Sequence, residues 1–590
     1  MSEKYFPSRP ELHPQIYAYR LLGVTDKEGL LKIGYTTKAQ VSDRIDEQTK
    51  TARLKYEVVV QVDAIRNDGS TFMDHQIHEY LKKKGIRPVE GERFECSKRD
   101  VLGAIHAIKE RTENEENRIH DFPMRPEQAE AVEKTIQYFK SYKLENNTTP
   151  HFLRNAKMRF GKTFATYQLA KNMGRKKVLI LTFKPAVENA RQTDLMNHKD
   201  FEGRQFTSRN SGVSIEQLNP QQPIVCFGSF QDYLGKNSAG GIKEKNTRVH
   251  ETHWDAVVFD EYHYGAWREG AKELFDDTED DSETDSIAKI AFEEGIKSAE
   301  KILPITTNHY LYLSGTPFRA IGSGEFIEEQ IYNRTYSDEQ KAKAEWNGDK
   351  NPYESLPQMV MMTYQMPDSI KHIAQGGEFD EFDLNLFFKA EGVKDEAKFI
   401  HEEFVQKWLD LIRGAFQETS LDDLKLGAKK PAFPFSDVRL LSLLNHTFWF
   451  LPSVSSCFAM RNLMMQRQNL FYQDYEIVVA AGTGAGQGVK ALDPVLHAMG
   501  DPLKSKTITL STGKLTTGVS VSPRSGVLML RNLKSPETYF QTAFRVQTPW
   551  IIDNPDGKSP NKKEILKKIC YVFDFAPNRA LSQIADYSNK

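Results

Sequence analysis

One string constrains this chain more than any other: Ala156-Lys157-Met158-Arg159-Phe160-Gly161-Lys162-Thr163. It reads as a loop whose backbone N–H groups wrap phosphates, with Lys162 reaching the β/γ oxygens and the Thr163 hydroxyl holding Mg²⁺. From Phe122 to about Ile321 the chain around it alternates apolar strands such as Lys177 to Thr182 with amphipathic helices. That alternation belongs to a parallel α/β lobe. Trp254 to Phe259 is a further apolar strand, followed by Asp260-Glu261-Tyr262-His263. Asp260 would then emerge at a C-terminal strand tip, where such sheets place their ligand chemistry. The two strings together imply a motor driven by ATP.

Two more strings keep the same order. Arg125-Pro126-Glu127-Gln128 precedes the loop by about one helix and one strand, and Ser314-Gly315-Thr316-Pro317 follows the apolar strand Tyr310 to Leu313. At these residues the chain resembles superfamily 2 nucleic-acid helicases and translocases of the DEAD/DEAH type. Ala156, Gly161, Lys162 and Thr163 match the first motif of that family, while Arg159 stands where the family has another glycine. A side chain there forfeits backbone freedom, and its guanidinium is expected to add a phosphate contact. The resemblance implies that Gln128 and Gln541 contact the nucleotide, that Asp260 orients the metal through water, and that Glu261 activates the attacking water. Ser314 and Thr316 would couple nucleotide state to motion.

Beyond Phe435 a second α/β lobe begins, with strands at Thr447 to Leu451, Tyr475 to Ala480, Thr507 to Leu510, Val527 to Leu530 and Cys570 to Phe575. Ser511-Thr512-Gly513-Lys514-Leu515-Thr516-Thr517-Gly518-Val519 resembles the fifth helicase motif, and Gln541-Thr542-Ala543-Phe544-Arg545 the sixth. Arg545 is the expected arginine finger, a residue type worth about 10³ to 10⁵ in rate. Three positions depart from the pattern: Phe544 and Thr548 replace a glycine and a second arginine, and Ser520 replaces an acid. Ala481 to Gly488 is glycine-rich, but where a dinucleotide fingerprint opens a helix this run sits between lobe strands, and it reads as a loop near nucleic acid.

Composition sets outer limits. The 590 residues suggest roughly three to five domains. Their formal charge of −2 gives no global basic footprint, so a nucleic-acid path must be a local stripe of Lys and Arg. Cys96, Cys226, Cys457 and Cys570 lie far apart, which argues for buried thiols in a reducing compartment rather than a structural zinc. No apolar stretch approaches a membrane span, and a cytoplasmic location without membrane partners is expected. The acidic run Asp276 to Asp285 reads as a solvated loop. Trp449, Tyr472 and Phe544 are candidates for base stacking by their place near the motor motifs, with packing in a core the favoured reading of each.

The charged segment Arg111 to Asp121 marks a boundary. Before it, Pro14 to Arg20 and Leu30 to Thr36 read as paired strands, followed by a helix with Arg44 and a later helix with Asp74 and His78 on one face. This arrangement resembles the GIY-YIG nucleases, with Ile16-Tyr17 and Ile33-Gly34 as the paired signatures. The resemblance implies that Tyr17 helps deprotonate water, that Arg44 stabilises phosphorane-like charge, and that a carboxylate binds Mg²⁺. Asp74 is the first candidate for that carboxylate and Glu92 the alternative; Gln15 and Lys32 replace the family's glycine and tyrosine.

The expected organisation is a small α/β GIY-YIG-like domain (1–115), a first RecA-like lobe (116–325), a mainly helical linking region (326–435) and a second RecA-like lobe (436–590), an α/β chain of P-loop, superfamily 2 type. The expected activity is an ATP- and Mg²⁺-dependent DNA helicase or translocase fused to an endonuclease, in a restriction or phage-defence role beside a DNA methylase or other defence subunit. The alternative is a DNA-stimulated ATPase whose N-terminal domain only binds DNA, single- or double-stranded. Ala580 to Tyr587 is helical without a stop signal, which predicts further chain beyond Lys590.

Overall fold

The computed structural model describes residues 13–49, 54–66, 68–111, 114, 116–142, 149–182, 187–229, 233, 246–260, 305–315, 326–374, 382–415, 433–482, 489–513, 520–533, 536–553, 555 and 562–588. They divide into two compact units, one of Met1–Pro123 with Thr193–Glu202 and Ile551–Leu566, the other of the remaining chain.

In the first unit, strands β1 (Gln15–Leu22), β2 (Leu30–Thr36), β3 (Lys55–Asp63), β4 (Pro88–Glu90) and β5 (Arg93–Glu95) form one sheet in the order β3-β1-β2-β5-β4. Helices α1 (Val41–Thr49), α2 (Asp74–Lys83) and α3 (Lys98–Glu110) cover it. Successive side chains of a strand point to opposite faces. Tyr17, Tyr19 and Leu21 therefore pack with Val41 and Ile45 of α1, while Ile16 and Ala18 join Ile77, Leu81 and Val101 of α2 and α3. A sheet buried on both faces explains why β1 is apolar almost throughout.

The second unit holds two parallel sheets. In the first lobe, α4 (Pro126–Ser141) precedes β6 (His151–Ala156), which runs through the phosphate loop into α5 (Lys162–Asn172). Strand β7 (Lys177–Thr182), α6 (Glu188–Asn197), β8 (Gln205–Ser208), β9 (Ile224–Ser229), β10 (Ala256–Asp260), β11 (Tyr310–Ser314) and β12 (Ile331–Arg334) follow. The sheet order is β12-β6-β11-β10-β7-β9-β8, and every pairing is parallel. The inner strands β7, β9, β10 and β11 read as largely apolar runs, as parallel strands buried on both faces do.

The second lobe is built from β13 (Gln358–Thr363), a two-residue hairpin of β14 (Ala390–Glu391) and β15 (Lys398–Phe399), then β16 (His446–Phe450), β17 (Glu476–Val479), β18 (Thr507–Ser511) and β19 (Gly526–Met529). The hairpin β20 (Ile551–Asp553) and β21 (Lys563–Ile565), which belongs to the first unit, precedes in sequence the second-lobe strand β22 (Ile569–Asp574). The sheet order β13-β22-β19-β16-β18-β17 is again wholly parallel. The chain is thus α/β with two RecA-like lobes.

Tertiary pairing and burial add to the sequence reading here. The region read as mainly helical contributes strands to both lobes, since β12 completes the first sheet and β13 edges the second. Their short, mixed sequences carry little periodicity, and pairing with an existing sheet edge defines them. The stacking candidates Trp449, Tyr472 and Phe544 are buried to 2% exposure or less. They pack in the second-lobe cores, where no base could reach them.

Candidate functional site

Parallel pairing brings the nucleotide motifs to one edge of the first-lobe sheet. Strand β11 lies between β6 and β10, with Ser314 opposite Asn155 and Tyr312 opposite both Leu153 and Phe259. The strand ends Ala156, Ser314 and Asp260 therefore stand side by side. The loop leaves β6, and Gly161 caps α5 in the left-handed region with φ of 82°. A β-carbon there would lie 2.5 Å from Gln128 Nε2, so this position needs glycine on two counts.

Gln128 and Arg125 hold the loop by its carbonyls. Gln128 Nε2 donates to Phe160 O at 2.7 Å, while Gln128 Oε1 accepts from the Arg125 N–H at 2.9 Å. Arg125 Nη2 donates to Phe160 O at 2.6 Å and to Arg159 O at 3.2 Å. Both ends of the Gln128 amide are thus engaged, and the residue acts on the loop itself. Lys162 Nζ donates to Ala156 O at 2.8 Å, and Thr163 stands half-buried in the first turn of α5.

Arg159 also has a positive φ, 71°, at the position where the resemblance calls for glycine. That backbone costs a residue with a β-carbon about 1–2 kcal/mol. Its guanidinium reaches across to the second lobe, where Nη2 donates to Ser520 Oγ and Thr548 Oγ1, both at 2.6 Å. Burial pulls the guanidinium pKa down. Three of the four positions that depart from the helicase pattern are therefore joined by one pair of hydrogen bonds, and the fourth, Phe544, packs in the second-lobe core.

Asp260 is 2% exposed and ion-paired with Arg191 of α6. Its second oxygen, Oδ1, is buried with no hydrogen-bond partner among the described residues. An orphaned carboxylate oxygen at a strand tip, on the same end of the sheet as the loop that carries Lys162 and Thr163, suits a hydrated Mg²⁺, so the residues present fit a Mg²⁺-nucleotide. Arg191 was not visible in the sequence, because an arginine in a helix carries no sign of what it will face. Breaking a buried pair leaves an uncompensated charge. Arg191→Met is accordingly expected to destabilise the first lobe by about 3–5 kcal/mol, read as a lowered thermal midpoint against wild type.

On the second lobe, Gln541 is half-buried in the helix Pro536–Ala543, and Arg545 is 6% exposed in the 3-10 turn Phe544–Gln547. Glu261, Thr316, Lys514 to Val519, Thr483 to Gly488 and the acidic run 276–285 lie outside the described residues.

The N-terminal unit gathers a second constellation. Tyr17 pairs across β1 and β2 with Gly34, where a β-carbon would stand 2.5 Å from the Tyr17 hydroxyl. Gln48 Nε2 donates to that hydroxyl at 3.2 Å, and Tyr19 stacks on Tyr17 with ring centroids 6.3 Å apart. Burial raises the Tyr17 pKa from the usual 10.0, opposed by the Gln48 hydrogen bond and the Arg44 charge. Arg44 is half-exposed on α1, 3.6 Å from Glu47. Tyr19 and Gln48 were legible in principle, lying two residues from Tyr17 on a strand and four from Arg44 on a helix.

Of the two carboxylates, Asp74 lies in the first turn of α2, where its Oδ1 accepts from the His75 N–H at 2.9 Å. Glu92 O accepts from Ile33 N at 3.2 Å, which sets Glu92 beside the second signature, and its charge acts on Tyr19. Among the described residues the one cluster of three metal-type ligands is His106, Glu110 and Asp121, and it includes neither carboxylate. The ammonium of Lys199 stands 3.5 Å from Glu110 there. The described residues contain no helix long and apolar enough to cross a membrane.

Comparison with known proteins bears on both units. Residues 121–319 match the family "Type III restriction enzyme, res subunit", and residues 16–109 match the T5orf172 domain. The chain is 31% identical over 499 residues to a Mycoplasma pneumoniae protein named as the C-terminus of the type II restriction enzyme and methyltransferase RM.MpnORF110P. The match covers 79% of this chain and 66% of that protein, so the chain spans just under two thirds of its relative. Among solved structures it is similar to the ATP-dependent Type ISP restriction-modification enzyme LlaBIII bound to DNA, at 12% identity and a TM-score of 0.46, covering 79% of this chain and 30% of that one. It is also similar to S. cerevisiae Dbp5 bound to RNA and ADP BeF3, at 12% identity and a TM-score of 0.35, covering 79% of this chain and 91% of that one. Residues 121–319 are thus similar to the res subunit of Type III restriction enzymes, and residues 16–109, earlier in the sequence, to the T5orf172 domain.

Proposed function

We propose that the chain is an ATP-dependent DNA translocase whose N-terminal domain is a metal-dependent endonuclease, acting in restriction of foreign DNA. The observation that carries the motor reading is the meeting of the Ala156–Thr163 loop, Ser314 and Asp260, with its orphaned oxygen, at one sheet edge. Bound there, Mg²⁺-ATP supplies the phosphoanhydride whose hydrolysis drives the motor.

Lys162 and Thr163 hold its phosphates and metal, Asp260 the metal's water shell, and Glu261 takes the proton of the attacking water. Arg545 stabilises charge on the transferred phosphoryl. In the N-terminal unit, Tyr17 and Arg44 act on the scissile phosphate, and a carboxylate, Asp74 or else Glu92, holds Mg²⁺. Support for nucleic acid as partner comes from the family match and from the named activity of the Mycoplasma relative. A methylase acting on the same sites is the expected companion, since a nuclease of this kind needs host DNA marked.

The test is Mg²⁺-dependent cleavage of supercoiled and linear DNA, measured beside phosphate release, in wild type and Lys162→Ala. Loss of DNA-stimulated phosphate release in Lys162→Ala supports the motor. Cleavage that becomes ATP-independent, or vanishes with it, reports the coupling. DNA-stimulated phosphate release with no cleavage under any divalent metal would reduce the N-terminal unit to a DNA grip.

A further inference from the structure

The phosphate loop is fastened to the second lobe by its own side chains. Lys157 is paired with Glu339 and lies 3.4 Å from Gln547 Oε1. Met158 packs on the core that holds Phe448, Val521 and Phe544. Arg159 reaches Ser520 and Thr548, and the Thr548 hydroxyl in turn donates to the Arg545 carbonyl at 3.2 Å. Arg159 Nε is buried without a partner among the described residues, so these two hydroxyls are what the guanidinium holds.

The backbone gives this anchorage a consequence. Arg159 sits at φ of 71°, a left-handed turn that a side chain disfavours. Such a conformation persists where surrounding contacts over-determine it. The contacts doing so here belong to the other lobe. A loop with glycine at this position would hold the turn by itself; this loop holds it while the second lobe is docked.

We infer that Arg159 is a positioning residue that makes nucleotide binding conditional on docking of the second lobe, with Ser520 and Thr548 as the hydroxyls that anchor it. Docking holds the loop in the turn leading to Gly161 and the head of α5. Undocking releases the guanidinium and the turn together, so the affinity for nucleotide falls as the lobes part. The same bonds tie the loop to the backbone of Arg545, which places the second-lobe arginine and the loop under one control. This inference rests on the reading of the loop as the nucleotide site.

The experiment is a titration of the full chain with a fluorescent ATP analogue and Mg²⁺. Removing both hydroxyls in Ser520→Ala/Thr548→Val is expected to weaken binding by about five- to thirty-fold, the cost of an unsupported left-handed residue. Adding Arg159→Gly to that pair is expected to recover most of the loss. On an Arg159→Gly background the two hydroxyl substitutions should then change affinity by no more than about two-fold, as independent sites do.

A pair variant that binds as wild type does, or a triple variant no better than the pair, overturns the inference. Should the pair variant fail to fold, the Arg159→Gly background still decides, because a large effect of the hydroxyls there contradicts coupling through Arg159. Lys162→Ala separates the underlying reading. If it binds the analogue as tightly as wild type, the loop is not the nucleotide site and the inference falls with it.

Discussion

Arg545→Ala is expected to slow DNA-stimulated ATP turnover by about 10³ to 10⁵-fold while the nucleotide still binds. The magnitude follows from what an arginine does in a water-poor cleft: its fixed charge meets negative charge that grows on the phosphoryl group only as the transition state forms. The placement here is rigid. Phe544 and Val546 on either side of Arg545 are buried in the second-lobe core, and the Thr548 hydroxyl binds its carbonyl. A turn fixed on both sides does not need to reorganise when the reaction occurs. Single-turnover phosphate release, with analogue binding as control, checks the expectation. Arg545→Lys should recover little, because an ammonium lacks the planar fork. Turnover within about tenfold of wild type would remove Arg545 from the catalytic role.

Tyr17→Phe is expected to lower DNA cleavage by about 10² to 10⁴-fold, the usual contribution of a positioned acid or base. ATP hydrolysis should be unaffected, since Tyr17 and the phosphate loop belong to different units. The pH dependence has a defined sign. Burial holds the hydroxyl protonated to higher pH than the usual 10.0, so the fraction of tyrosinate grows with every step of alkalinity below that value. Cleavage should therefore rise with pH without a plateau below about pH 10, and the rise should disappear in Tyr17→Phe. A plateau near neutrality would point to another base, and unchanged cleavage in Tyr17→Phe would sink the assignment.

The strands that carry chemistry were legible because their sequences leave little choice. Lys177 to Thr182 and Trp254 to Phe259 are apolar runs that only a sheet covered on both faces can bury. The predicted strands fall on β7 and β10. The phosphate loop was legible for the same reason, as one glycine, lysine and threonine between such a strand and a helix. The regions that escaped were those without a period of their own. Ile331–Arg334 and Gln358–Thr363 became strands because each found a sheet edge, and nothing in four or six mixed residues announces that.

For the candidate sites, the sequence by itself determined which residue types exist and in what order along the chain: Lys162 after Gly161, Asp260 after an apolar run, Tyr17 two residues before Tyr19. Local pattern suffices for this, because backbone periodicity and loop chemistry act over a few residues. What only the tertiary structure decided is which of them meet. Arg191 is 69 residues from Asp260, and Arg159 is 361 from Ser520 and 389 from Thr548. Their bonds depend on how a parallel sheet aligns distant strand ends and how two lobes pack, and no short-range pattern encodes either. The departures from the helicase motifs at Arg159, Ser520 and Thr548 look like three unrelated losses along the chain, and in three dimensions they are one contact.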